Sequence, residues 1–327
     1  MQIINKMKNK NNIKVSVVVC TYNHRGTIEK TINSILAQDW KCSYEIIIAD
    51  DDSNDGAKEF ITAYMSNINC NKKIILRNKN TGGGINFIEA LEAADGEYIA
   101  YCEGDDYWIN PLKTDIQLLR LEENHSIDLV WTDINIWDDL EKKWINSVFR
   151  SGHLKRFNTA AEYLINKAFS APSTWMFRRN LVPLIRAIVD RKYIDGTFPL
   201  IVELMQSRKI EYIDEVTAVY TKHQNSSTNT SNLYKRYLFA RSIFDIQIDL
   251  VERYNFGERV RKIIIKRELK RLIILAILFK DKEYINLKNS QYKSILLKTV
   301  GIILSNGICR SMIALYYKKR HKFIAEI

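Results

Sequence analysis

Four stretches of the chain share one pattern: an unbroken apolar run, a polar break, then apolar residues at helical spacing. KVSVVVC (14–20) is followed by Ile28, Ile32, Ile35 and Leu36, and YEIIIAD (44–50) by Phe60, Ile61, Tyr64, Met65 and Ile68. KIILR (73–77) is followed by Phe87, Ile88 and Leu91, and EYIAYC (97–102) by a helix expected to begin near Pro111 with Leu112, Ile116 and Leu119 inward. Continuous β-branched runs suit strands buried on both faces, and a spacing of three to four residues suits the helices that cover them. Such alternation predicts an α/β fold with a mainly parallel, doubly wound sheet, because parallel neighbours need crossovers.

From IDLVWT (127–132) the alternation loosens into a mixed region, with strands expected near 144–149, 173–177 and 216–221. HQNSSTNTS (223–231) is polar and low in complexity and reads as a flexible loop or linker. Beyond it the chain has no proline, is rich in Lys, Arg, Ile and Leu, and follows a mostly helical pattern. The expected organisation is an α/β domain over 13–224 and a basic helical region over 232–327.

At 327 residues and 46% hydrophobic, the chain can bury one sizeable core or two unequal ones. Its five cysteines form no CxxC pair, and Cys20 and Cys102 close strand-like runs, so free thiols in a reducing compartment are expected. The lysine-rich first twelve residues lack the apolar core of a signal peptide, and no run reaches the ~18 apolar residues of a spanning helix. These features point to a cytoplasmic protein, soluble or attached at the inner face of the cell membrane. A net charge of +11 favours an anionic partner without naming it.

Ligands of open parallel sheets bind at the carboxyl ends of the strands. Here those ends are polar and acidic: Cys20-Thr21-Tyr22-Asn23-His24, Asp50-Asp51-Asp52-Ser53-Asn54-Asp55-Gly56, Asn78-Lys79-Asn80-Thr81-Gly82-Gly83-Gly84, and Glu103-Gly104-Asp105-Asp106-Tyr107-Trp108. An Asp-rich turn before a helix can simply cap it. The glycine run lacks the Lys-Ser/Thr of a P-loop and the full GxGxxG of a dinucleotide fold, so alone it reads as a turn. Three carboxylates within 103–106 are different, since their repulsion is relieved by a divalent cation such as Mg²⁺ or Mn²⁺, which prefers hard oxygen ligands and also holds phosphates.

Taken together, VSVVVCTYNH, EIIIADDDSNDG, RNKNTGGGINF and GEYIAYCEGDDYW followed by Pro111 and Lys113 resemble, in order and spacing, family 2 glycosyltransferases of the GT-A fold. The resemblance is strong over about 13–135 and looser to about 224. It implies an inverting transferase that moves a sugar from a nucleotide-sugar donor, a UDP-sugar first, to a glycan or lipid-linked acceptor in bacterial surface polysaccharide synthesis. Carried over by position, it implies nucleotide contacts at Thr21, Tyr22, Asn23, Asp50, Asp51, Asn80, Gly82, Asn86 and Asp105. Metal contacts are implied at Glu103, Asp105, Asp106 and His223, the last within Tyr220-Thr221-Lys222-His223, with Mn²⁺ or Mg²⁺ as the ion. Glu103 stands where the family's DxD element has its first Asp.

The base that would take the acceptor's proton is the point of departure. Gly196-Thr197-Phe198-Pro199-Leu200 carries Thr197 where relatives carry Asp, and Asp195, two residues upstream, is the candidate that remains. A turn or cap role for Asp195, and an N-cap role for Thr197, are the plainer readings of the same residues. The substitution keeps open a pseudoenzyme that binds a nucleotide sugar without transferring it. The segment 170–177 reads as core strand by default and as an acceptor border by its aromatic and hydroxyl residues.

In the tail, RVRKIIIKRELKRLIILAIL (259–278) interleaves basic and apolar residues, and ILLKTVGIILSNGI (295–308) is strongly apolar. Internal packing accounts for the apolar faces; an anionic membrane surface suits the cationic ones. Nucleic-acid binding is not expected, because the basic residues concentrate in the tail while the strand ends are acidic and would repel phosphate without a metal.

Overall fold

A computed structural model describes residues 2–6, 14–191, 193, 196–223 and 232–269, and 271, 272, 275, 276, 279, 281, 283 and 284. The chain divides into two compact units, Met1–Ser226 and Ser227–Ile327. In the first, strands β1 (Gln2–Lys6), β2 (Val15–Thr21), β3 (Tyr44–Asp50), β4 (Asn71–Leu76), β5 (Tyr98–Glu103), β6 (Tyr107–Trp108), β7 (Leu129–Asp138), β8 (Lys143–Ile145), β9 (Met176–Arg178) and β10 (Ile210–Lys222) form one sheet. Its order is β1-β4-β3-β2-β5-β9-β7-β10-β6, with β8 on β7. The pairs among β4, β3, β2 and β5 are parallel, as is β7 with β10, whereas β9 runs antiparallel between β5 and β7. The mainly parallel α/β sheet expected from the alternation is the one observed.

The β-branched runs are buried on both faces: Val15, Val17, Val18, Val19, Ile46, Ile47 and Ile48 have no exposed surface. Helices α1 (Ile28–Leu36), α2 (Ala57–Ser66), α3 (Gly83–Glu92) and α4 (Lys113–Glu123) follow the first four parallel strands. The face of α4 differs from the one expected. Leu112 and Leu119 are exposed, while Thr114, Gln117, Leu118 and Leu121 are buried. Polar Lys113 and Gln117 can lie inside because Lys113 Nζ donates to Gln117 Oε1 at 2.6 Å and Gln117 Nε2 donates to the Thr174 carbonyl at 2.6 Å.

The mixed half also departs in detail. Of the 144–149 expectation only Trp144 and Ile145 pair as strand, at the end of β8, and Pro172–Thr174 forms a 3₁₀ turn before β9. The expected strand at 216–221 is the end of the longer β10. Helices α5 (Ala160–Asn166), α6 (Val182–Val189) and α7 (Thr197–Ser207) complete this unit. Gly196, not Thr197, occupies the N-cap position of α7.

A short link shows that the sheet curls. From β5 to β6 by way of β9, β7 and β10 is four strand spacings, which a flat sheet would stretch to about 19 Å. The link from Glu103 to Tyr107 is four residues and spans at most about 14 Å. The sheet therefore closes on itself, and the end of β10 comes round to the loop that follows β5.

In the second unit α8 (Leu233–Arg253) is capped by Asn232, whose side chain accepts from Lys235 N at 3.1 Å. It is followed by α9 (Gly257–Ile264) and a π-turn at Ile265–Leu269. Tyr237 stacks on Phe279, and its hydroxyl and Arg241 both reach Asp281 at 2.8 Å. Ile264, Leu269, Leu272, Leu275 and Ala276 are buried and serve packing, whereas Ile263 is exposed. The 295–308 segment lies outside the described residues. Among the described residues no helix is long and apolar enough to cross a membrane. Cys20, Cys42, Cys70 and Cys102 are free thiols; Cys309 lies outside the described residues.

Candidate active site

The ends of β3, β2 and β5 stand side by side. Thr21 is in register with Asp50 on one side, and Cys20 with Glu103 on the other, so the two acidic loops flank β2 about 10 Å apart. The loop after β5 is anchored by α1: Thr27 Oγ1 and Thr31 Oγ1 donate to the Gly104 carbonyl at 2.9 and 3.0 Å, and Thr31 Oγ1 lies 2.7 Å from the Asp106 carbonyl. Glycine is compelled at 104. A Cβ there would lie 2.7 Å from Thr21 Oγ1, 2.8 Å from Thr21 Cβ and 2.9 Å from His24 Nδ1.

The neighbouring aspartates of this loop take opposite places. Asp106 is 1% exposed, with Oδ1 accepting from Thr221 N at 3.0 Å and Oδ2 bonded to the Ser173 hydroxyl. Burial, then the charges of Asp105 and Glu103, push its carboxyl well above the ordinary range. Asp106 thus ties the loop after β5 to the 3₁₀ turn before β9 and to β10, and both its oxygens are enclosed and engaged in this structure. The Asp105 side chain is 23% exposed. His24 Nε2 lies 3.7 Å and His223 Nε2 4.0 Å from Asp105 Oδ2. His223 reaches this point because β6 pairs with β10 through Ala218–Trp108 and Val219–Tyr107, which docks the loop against the end of β10.

On the other flank Asp50 and Asp51 are buried and hold the loops themselves. Asp50 accepts from Ser53 N at 2.8 Å and from the Ser53 hydroxyl at 2.5 Å, and burial raises its carboxyl pKa. Asp51 accepts from Thr81 N, Thr81 Oγ1 and Gly82 N at 2.8, 2.7 and 2.8 Å, fixing the glycine turn beside it. Gly82 has φ +88°, the left-handed region that glycine enters at no steric cost. Asn80 Nδ2 donates to the Asp51 carbonyl at 3.0 Å, and Asn86 is buried between the Ala49 carbonyl and Arg77 Nε. Asn23 joins the first loop to the second, with its N donating to Ser53 Oγ at 2.7 Å and its Oδ1 accepting from Asn54 N at 2.9 Å. Thr21 is buried, and the Tyr22 ring is exposed at the mouth.

The structure therefore brings Thr21, Tyr22, Asn23, Asp50, Asp51, Asn80, Gly82, Glu103, Asp105 and His223 to one rim, with Asn86 beneath it. Asp195 lies outside the described residues. His24 was missed as a site residue by sequence reasoning; the available signal was its place at the end of the same strand-end run as Thr21, Tyr22 and Asn23. The segment 170–177 is core, with Trp175, Met176 and Phe177 buried, and Ser170 at its start lines a cavity. A cavity of ≈ 120 Å³ lined by Trp131, Tyr163, Met205 and Tyr212 involves the amino ends of β7 and β10, away from this rim.

Among the described residues no three His, Cys, Asp or Glu side chains are grouped closely enough to hold a metal by themselves. One carboxylate and an imidazole facing it fit a different case, a cation that takes most of its shell from water and a substrate diphosphate.

A sequence profile described as glycosyl transferase family 2 matches residues 16–184, just over half the chain. The chain belongs to this family. It is similar to an uncharacterised protein of Mycobacterium tuberculosis, 29% identical over 219 residues that cover 64% of this chain and 59% of that one. It thus spans about three-fifths of that relative's length. It is also similar to the poly(ribitol-phosphate) beta-N-acetylglucosaminyltransferase TarS of Staphylococcus aureus, 33% identical over 116 residues, 35% of this chain and 20% of TarS. The crystal structure of TarS 1–349 in complex with UDP-GlcNAc shares the fold, with a TM-score of 0.57 and 20% identity over 84% of this chain and 79% of that one. So does the mannosyltransferase PcManGT of Pyrobaculum calidifontis, in complex with GDP-Man and Mn²⁺, with a TM-score of 0.52 and 13% identity over 95% and 89% of the two chains. The family 2 glycosyltransferase therefore carries its candidate site on a GT-A sheet.

Proposed function

We propose that this glycosyltransferase moves a sugar from a UDP-sugar, with inversion and with Mn²⁺ or Mg²⁺, to a glycan or lipid-linked acceptor in bacterial surface polysaccharide synthesis. The observation that carries the reading is the meeting of Asp105 and His223 at the end of β5, beside the β2 and β3 loops. Asp105 and His223 would hold the cation, with Glu103 at the end of β5 adding negative charge beside them, and the Tyr22 ring with the loop braced by Asp50 and Asp51 would receive the nucleoside. A cation there clamps the diphosphate and stabilises the charge that develops as the nucleoside diphosphate leaves.

Within this reading Asp195 is the carboxylate that takes the acceptor hydroxyl's proton while the sugar passes through an oxocarbenium-like state. The TarS and PcManGT complexes, with UDP-GlcNAc and with GDP-Man and Mn²⁺, support a nucleotide-sugar donor and a divalent ion. Thermal stabilisation by a panel of nucleotide sugars with Mn²⁺ tests the donor, since a compound that binds only the folded state raises its stability by mass action. Stabilisation that requires Mn²⁺ and vanishes in Asp105→Ala is the expected result. No response to any nucleotide sugar, or an undiminished one in Asp105→Ala, would refute the site.

The basic α9, with Arg259, Arg261 and Lys262, supports contact with an anionic membrane surface at the inner face of the cell membrane. Flotation with vesicles tests this: recovery with anionic but not neutral vesicles is expected, and equal recovery with both, or none with either, would sink it.

A further inference from the structure

His24 closes the VSVVVCTYNH run and stands beside the exposed carboxylate of the crevice, yet the family resemblance carries no contact role over to it. Its Nε2 is 3.7 Å from Asp105 Oδ2. Its Nδ1 is buried with no hydrogen-bond partner, packed against the bare backbone of Gly104.

These two surroundings select the tautomer. A neutral imidazole carries one proton, on either nitrogen. On Nδ1 it would be a buried N–H without an acceptor, and the Nε2 lone pair would then face a carboxylate. On Nε2 the same proton faces Asp105 Oδ2, and Nδ1 keeps only an unpaired acceptor; orphaned buried donors are the rarer of the two in native proteins. Both comparisons favour the proton on Nε2. A ring in that form has no lone pair there to give to a cation.

We infer that His24 is a positioning residue, whose Nε2–H orients the Asp105 carboxylate so that its remaining lone pairs, with His223 opposite, face the cation and the donor diphosphate. The inference rests on the proposed donor site. The 3.7 Å separation exceeds a hydrogen bond, and such contacts in ligand-free sites commonly tighten when the complex forms. The backbone of His24 is already fixed at the start of α1, where its carbonyl accepts from Thr27 N and Ile28 N at 3.0 and 2.8 Å.

The test is a Mn²⁺ titration at saturating UDP, with free Mn²⁺ read by electron paramagnetic resonance, on the full chain and four variants whose melting temperatures are recorded alongside. His24→Phe keeps a ring but has no N–H and should bind Mn²⁺ about 10- to 100-fold more weakly, the usual effect of removing a group that orients a metal ligand. His24→Asn restores an N–H donor and should recover most of that loss. Directly coordinated nitrogen, seen as ¹⁴N modulation of the electron spin echo, should persist in His24→Phe and disappear in His223→Ala. Unchanged affinity in His24→Phe, no recovery in His24→Asn, or loss of a coordinated nitrogen on replacing His24 would each overturn the inference. Undiminished Mn²⁺ binding in Asp105→Ala would instead overturn the donor site itself, so the two failures are distinguishable.

Discussion

Gly104→Ala places one methyl group where the site is tightest. Its Cβ would meet Thr21 Cβ at 2.8 Å, Thr21 Oγ1 at 2.7 Å and His24 Nδ1 at 2.9 Å, against an ordinary carbon contact of about 3.5–4.0 Å. The shortfall is roughly 1 Å, and Thr21 Cβ cannot retreat, because its strand is hydrogen-bonded on both sides to β3 and β5. The 103–106 loop must therefore move outward, against the hydrogen bonds from Thr27 and Thr31 that hold it. Overpacking of this kind costs about 1–3 kcal/mol, which in a unit of this size lowers the melting temperature by about 2–12 °C. The backbone of residue 104 has no positive φ, so the cost is one of space rather than conformation.

The functional consequence is larger than the thermodynamic one. Asp105 rides on the displaced loop and leaves His24 and His223, so Mn²⁺-dependent UDP binding, followed by calorimetry, should weaken by at least about tenfold, or roughly 1.4 kcal/mol. Gly96→Ala is the control. Its Cβ would lie 2.6 Å from Ser16 N and 2.9 Å from Val15 C, a clash with backbone at the amino ends of β2 and β5. It should destabilise at least as much and leave UDP affinity unchanged. A Gly104→Ala protein that melts within about 1 °C of the parent and binds UDP equally well would refute the close-packing argument.

Other outcomes follow from the same contacts. Asp106→Asn can still accept from Thr221 N and donate to Ser173 Oγ, so it should fold within about 1 kcal/mol of the parent and keep Mn²⁺ binding; Asp106→Ala strands both partners and should cost about 2–4 kcal/mol by chemical denaturation. Loss of Mn²⁺ binding in a well-folded Asp106→Asn would return this residue to the cation. Burial lowers Lys113 to about 7 from an unfolded value near 10.5, so as pH rises from 7 the folded protein sheds this proton before the unfolded chain does, and the group adds stability. Lys113→Met should flatten the rise in melting temperature between about pH 7 and about pH 10, and equal slopes in the two proteins would refute it. Asp195→Asn should keep donor affinity and lower transfer by about 10² or more; full transfer would assign the base elsewhere.

The parts of this architecture that could be read in the sequence are those whose cause is local. Runs such as VSVVVC and EIIIAD announce doubly buried strands because nothing polar interrupts them, and their polar ends announce a binding rim because the sheet is parallel. What could not be read depends on partners far along the chain. Gln2–Lys6 forms a strand through backbone pairing with β4, and the two residues of β6 are a strand only because β10 lies beside them. The inward face of α4 was misjudged because Gln117 satisfies its polar atoms on Lys113 and Thr174, so counting apolar residues selects the wrong stripe.

The two aspartates of Glu103-Gly104-Asp105-Asp106 make the same argument at the scale of one loop. Side by side in sequence they are equivalent carboxylates, and any local rule treats both as candidates for a cation. Their difference is made by Ser173, 67 residues away, and Thr221, 115 residues away, which draw Asp106 into the core. His223, two residues beyond Thr221, arrives opposite Asp105 by the same docking of β6 on β10. Enclosing one carboxylate thus presents the other, and the fold and the candidate site are positioned by the same hydrogen bonds.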